Sequence, residues 1–174
     1  WILLGLQFGI VWYLSARIER MSATTAVAAF ILYSVITGFV LSMIFLVFTA
    51  ASIASTFFVT AGTFAFMSIL GYYTKTDLTS FGRILMMALV GLILASIVNF
   101  FMESSTLYWI TTYAGVLIFT GLIAYDTQKI KNMNIIGNEG TDEDKKEAIL
   151  GALTLYLDFI NLFLFLLRIL GSRK

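Results

Sequence analysis

Cysteine, histidine and proline are all missing from this 174-residue chain. Without cysteine there is no disulfide, no thiolate nucleophile and no sulfur ligand for a soft metal. Without histidine the usual neutral-pH switch is gone, so any response near pH 7 must come from carboxyls in unusual surroundings. Without proline, a helix bend must come from glycine, serine or threonine. Charge is scarce as well: Asp, Glu, Lys and Arg make up 12% of the chain, against about 25% in soluble domains. The net charge of +1 comes with no basic run, which argues against nucleic acid as a partner.

What fills the chain instead is apolar. Hydrophobic residues make up 60% of it, and its mean hydropathy is +0.95. The chain reads as one polytopic transmembrane domain over residues 1–174, with the lipid bilayer as its surroundings. Its apolar runs last about 20 residues, whereas barrel strands alternate over about 10, so the fold class is all-α.

Six spans are expected. The first covers residues 2–16. The sequence opens at Trp1 inside this run, with no Met and no basic stretch of the kind that heads a signal peptide, so a further helix is expected upstream. Positions 21–74 then carry no charge over 54 residues. One helix of that length would run to roughly 80 Å across a bilayer core of about 30 Å, so it must be two. The small, polar stretch 49–55 is the expected turn, giving spans 24–48 and 53–73. The remaining spans are 84–102, 107–127 and 148–169. Residues 132–147, with their acidic run, read as an aqueous loop. The basic residues cluster at 17–20, 75–83 and 129–146, which places those loops in the cytoplasm. Arg168, Arg173 and Lys174 then fall on the outer side, against that rule.

Against this background two acids stand out. Asp126 closes the run Gly121–Leu122–Ile123–Ala124–Tyr125, and Asp158 interrupts Leu155–Tyr156–Leu157 and Phe159–Ile160. An ionisable group at membrane depth is expensive without a partner, a proton or water, which makes it a functional-site hypothesis. Gly151, Thr154, Asp158 and Asn161 fall within an arc of about 80° on their helix. Thr154 and Asn161 thus form a supporting polar face. Thr112, Gly115 and Asp126 share a face on the preceding span. The two helices are antiparallel neighbours, so their aspartates are expected to meet in the cytoplasmic half of the membrane.

Such a pair has three uses: to share a proton, to bind a cation, or to take an arginine. Carboxyl oxygens suit calcium, though two alone make a weak site. Arg20 and Arg17, at the end of the first span, are the nearest arginines in sequence. Blander roles are assigned elsewhere. Ser34, Gly38 and Ser42 read as a small-residue packing seam. Asn99 reads as an interhelical hydrogen bond.

The segments Ala124–Tyr125–Asp126–Thr127–Gln128–Lys129–Ile130–Lys131 and Leu155–Tyr156–Leu157–Asp158–Phe159–Ile160–Asn161–Leu162–Phe163 resemble paired signatures of the Bax-inhibitor family of transmembrane proteins. Met67–Ser68–Ile69–Leu70–Gly71, followed by Thr74–Lys75–Thr76–Asp77–Leu78, is similar too. The resemblance covers essentially the whole chain and is strongest to the bacterial inner-membrane branch. It implies seven helices in the full protein, with the last helix central in the bundle. It also implies a pH-sensitive calcium leak, with Asp126 and Asp158 as a proton-regulated latch and Arg20 as the basic partner of Asp126. No resident cofactor and no catalytic residue are expected, only transient calcium.

Two rival classes are distinguishable. An intramembrane aspartyl protease would share Tyr125–Asp126. It would also need Gly-x-Gly before the second aspartate, where residues 155–157 read Leu-Tyr-Leu, and a downstream proline motif that the chain lacks. The other rival is a non-conducting regulator that binds a membrane-protein partner such as a protease.

Overall fold

The computed structural model describes residues 21–133 and 140–174, together with Gly9, Val11, Tyr13 and Arg17. Among these, six helices follow one another: α1 (Ala23–Leu41), the single turn α2 (Ile44–Val47), α3 (Ala50–Tyr73), α4 (Thr79–Met102), α5 (Ser105–Met133) and α6 (Asp142–Leu170). There is no strand among the described residues, only one isolated antiparallel bridge between Phe48 and Arg173. In hydrocarbon each backbone N–H and C=O must find its partner within the helix, and long apolar runs without proline allow this.

Five helical stretches are long and apolar enough to cross a membrane, with α1 and α2 counting together as residues Ala23–Val47. The expected count of six is not matched. The expected span 2–16 lies outside the described residues, apart from three isolated positions.

The boundaries follow local hydrogen bonding. Ser22 caps α1 by accepting from the Thr25 N–H at 3.2 Å, and Thr49 caps α3 by accepting from Ser52 N–H at 3.3 Å. The turn therefore falls at 42–49, earlier than the expected 49–55. Asn99 does not reach a neighbouring helix. Its Oδ1 accepts from the Ser104 N–H at 3.0 Å and closes α4, where Glu103 adopts φ 50°. Among the described residues the Ser34–Gly38–Ser42 face forms no packing seam. Gly38 has nothing within 4 Å of an added Cβ, and both serines donate to their own helix. The face of α1 that packs on α6 is Ala26 and Tyr33 against Leu153.

Helix α6 begins six residues before the expected span. Thr141 accepts from the Asp144 N–H at 3.2 Å, and Asp144 Oδ2 accepts from the Gly140 N–H at 2.9 Å. Three acids in the first turn face the positive end of the helix dipole. Residues 132–133 and 142–147 of the expected loop are helical.

The most enclosed element is α5. It carries eleven buried residues, against six on α6, so among the described residues the penultimate helix, not the last, is the centre of packing. Small residues explain this. Gly71 of α3 lies against the Ala124 backbone, Gly82 of α4 against the Tyr125 ring, and Gly115 of α5 against the Phe165 ring of α6. Where no Cβ intervenes, helices approach closely and gain dispersion contacts, which drive association in lipid. Leu85, Leu92, Ile118, Phe119, Leu122, Ile123 and Leu162 form the main core.

The C-terminal tail is pinned beside the α1–α3 connection. Thr49 N–H donates to Ser172 O at 3.0 Å, Lys174 N–H to Val47 O at 3.0 Å, and Lys174 Nζ to Phe45 O at 2.7 Å. The tail therefore sits at the end opposite Asp77 and Lys131, where the basic-loop count places it. Its cations have local work: Lys174 holds a carbonyl at the α2 turn, and Arg168 lies 5.0 Å from the Phe165 ring centroid and 5.6 Å from that of Tyr108.

Candidate functional site

Asp126 and Asp158 meet between α5 and α6. Asp126 is 7% exposed and Asp158 is 5% exposed. Their carboxyls lie within hydrogen-bonding reach of each other, a contact that needs a proton between them. No N–H or hydroxyl reaches Asp158 Oδ2, which is buried. The helical spacing anticipates this meeting, because α5 and α6 run antiparallel and present their acids from opposite directions.

The supporting face is there too. Thr154 and Asn161 line the same cavity as both acids. Their donors are committed to their own helix: Thr154 Oγ1 donates to Leu150 O at 2.9 Å, and Asn161 Nδ2 to Leu157 O at 2.8 Å. Apart from Ser96, Tyr125 and Lys129 the other walls are apolar, with Met86, Leu89, Ile93, Ile97 and Phe100 from α4 and Phe119 and Leu122 from α5. The cavity holds about 1070 Å3.

One layer further from the 74–78 loop lies a buried leucine pair. Leu122 precedes Asp126 by one turn on α5, and Leu162 follows Asp158 by one turn on α6. They are 1% and 0% exposed, beside Ile123 at 0%. Because the helices are antiparallel, both leucines sit on the same side of the acid layer, about 6 Å beyond it.

The expected basic partner, Arg20, lies outside the described residues, and Arg17, the alternative, is exposed. Lys145 pairs with Asp142 on the surface. The cation nearest in sequence to Asp126 is Lys129, which attracts it from the next turn. No cluster of three metal-ligating side chains forms among the described residues.

Sequence reasoning passed over Gln128. Its Oε1 accepts from the Leu78 N–H at 2.8 Å, and its Nε2 donates to Thr76 O at 2.9 Å. Lys131 Nζ donates to Tyr72 O at 2.7 Å. These bonds tie the 74–78 loop to the end of α5 just past Asp126. A buried glutamine two residues from the acid was the available signal. Gln128→Leu is expected to leave Leu78 N–H and Thr76 O unpaired and to cost about 2 kcal/mol. Thermal unfolding and proteolysis at the 74–78 loop would read this out. In that loop Asp77 accepts from the Thr79 side chain and backbone N–H, and these bonds hold its carboxyl below the usual carboxylate range.

The class is now defined: a polytopic helical membrane protein with a buried acid pair between its last two helices. The chain belongs to the Bax-inhibitor family, since residues 1–174 match the family described as "Inhibitor of apoptosis-promoting Bax1". It is 58% identical to inner membrane protein YbhL of Escherichia coli K12 over 97% of this chain and 72% of that protein. It is 50% identical to an uncharacterized protein of Borreliella burgdorferi, over 97% of this chain and 73% of that one. It is 36% identical to an uncharacterized membrane protein of Streptococcus pyogenes serotype M1, over 93% and 70%. With five apolar spans among the described residues, it is a multi-pass inner-membrane protein.

Proposed function

We propose that this protein is a pH-sensitive calcium leak of the inner membrane, gated by Asp126 and Asp158, and not an enzyme. The observation that carries the reading is the acid pair itself: two carboxyls within reach of one proton, beside a cavity, with a buried leucine pair one turn beyond. Calcium is cargo here, and no resident cofactor is called for. With the pair ionised, Asp126 holds the basic partner at the cytoplasmic end, for which Arg20 is the first candidate, and the path is shut at Leu122 and Leu162. Protonation weakens that charge pair, α6 shifts against α5, and the leucine layer parts. In the full protein the resemblance adds a further helix to the bundle.

The test is calcium flux into proteoliposomes from about pH 6 to pH 8, with the full-length protein. Wild type is expected to show flux that varies with pH. Asp126→Asn and Asp158→Asn are expected to conduct without that variation, and Arg20→Ala to leak at high pH. An Asp126→Asn protein with wild-type pH dependence would sink the gate. No flux from any folded variant would favour the non-conducting regulator that binds a membrane-protein partner.

A further inference from the structure

The cavity beside the aspartates has the wrong chemistry to retain a bare metal ion and the right chemistry for something larger. Helix α4 packs chiefly on α5, so a gap is left between α4 and α6, and the cavity fills it. Met86, Ile93, Ile97 and Phe100 line it and are themselves 49–69% exposed, so the chamber opens sideways toward acyl chains. Its size is that of a site for a drug-sized ligand, for which clefts of about 300–1,000 Å3 are usual.

Calcium needs about six to eight oxygens. From α4 the chamber receives one polar group, the Ser96 hydroxyl, and this donates to Leu92 O at 2.8 Å. The charged groups lining the chamber are Asp126, Asp158 and Lys129. With all three ionised the lining carries one net negative charge, which a monovalent cation neutralises and a divalent one overshoots. Asp158, 5% exposed, lines this space, and its buried Oδ2 has no N–H or hydroxyl partner. The walls add a stacked aromatic pair, Phe119 and Phe165, with centroids 5.9 Å apart. An ammonium has the donors that Asp158 lacks, and an attached apolar or aromatic body has the walls it needs.

We infer that this chamber is a binding site for lipophilic organic monocations, primary amines with an apolar body, which enter from the bilayer between α4 and α6 and place the ammonium on Asp158. The site shares its acid floor with the leak reading but does not require conduction.

The experiment uses monodansylcadaverine, a fluorescent primary amine, with the full-length protein in phosphatidylcholine nanodiscs, without calcium and with empty discs as the blank. Saturable emission enhancement at one amine per chain is expected. The N-acetyl derivative, with the same body and no charge, is expected to bind at least about tenfold more weakly, because a charge-assisted contact is lost. Asp158→Asn is expected to weaken the amine by a similar factor. Ile97→Trp, which fills the chamber and leaves both acids in place, is expected to abolish binding. Absence of saturable binding to folded wild type overturns the inference, and so does equal binding of the acetylated probe. Either result leaves the calcium leak standing, and saturable amine binding survives a failure of the flux assay.

Discussion

Gly71→Val is expected to yield no folded protein, and Gly71→Ala to lose about 3 kcal/mol of stability or more. An added Cβ on Gly71 would land on the carbonyl oxygen, carbonyl carbon and Cα of Ala124. That obstacle is helix backbone, so no rotamer change relieves it, and α3 and α5 would have to separate. Ala124 stands two residues before Asp126 and is 3% exposed, so separation also shifts the depth of the acid pair. Other glycines supply the scale. Gly82 faces the Tyr125 ring, a side chain able to swing aside, and Gly82→Ala is expected to cost about 1 kcal/mol. Gly62 and Gly91 have nothing within 4 Å of an added Cβ. Their alanine variants are expected to gain roughly 0.5–1 kcal/mol from helix propensity alone. Thermal unfolding in one detergent would rank all four. Gly71→Ala unfolding at the wild-type temperature would refute the assignment of α5 as the packing hub.

The ranking bears on what a sequence of this kind discloses. The spans were legible because apolar runs without proline admit one solution in lipid. The acid pair was legible because Asp158 shares an arc with Gly151, Thr154 and Asn161, and Asp126 shares one with Thr112 and Gly115. Cap chemistry was not read. Thr141 and Asp144 form a reciprocal start to α6, and this moves six polar residues out of the expected loop and into the helix. The importance of α5 was hidden for a different reason. Its small residues face three different neighbours, so it shows no single polar stripe. Gly71 and Gly82 also act through partners, Ala124 and Tyr125, that lie over 40 residues away in the chain. Glycine as close approach and glycine as open helix surface look alike in sequence. Gly71 and Gly91 differ only in what stands opposite. Gln128 escaped notice because its two bonds run to loop backbone, which leaves no side-chain pattern to find. The basic C-terminus looked anomalous for a similar reason: Lys174 and Arg168 answer to a carbonyl and to aromatic rings, not to loop topology.

Asp158→Asn is expected to be more stable than the wild type, by roughly 1–2 kcal/mol at neutral pH. In the native pair either two charges face each other at membrane depth or one carboxyl must keep a proton, and Asp158 Oδ2 has no N–H or hydroxyl partner. Asparagine keeps the shape, removes one charge, and brings an amide that donates to Asp126. For a chain of this size each kcal/mol corresponds to about 2–4 °C in unfolding temperature. The sign separates two roles for the pair. A carboxyl pair retained to fix helix packing would lose stability when one member is replaced, because the shared proton is its cement. A pair retained to move protons or meet cations sits there at the expense of stability, and replacing it relaxes the bundle while removing its response. Unfolding temperatures for wild type, Asp158→Asn and Asp126→Asn in the same lipid would decide. A fall on substitution would assign Asp126 and Asp158 to structure and would take the strongest support from the leak reading. A rise, together with lost pH dependence of flux, would mean that these two residues are where the protein gives up stability for its activity.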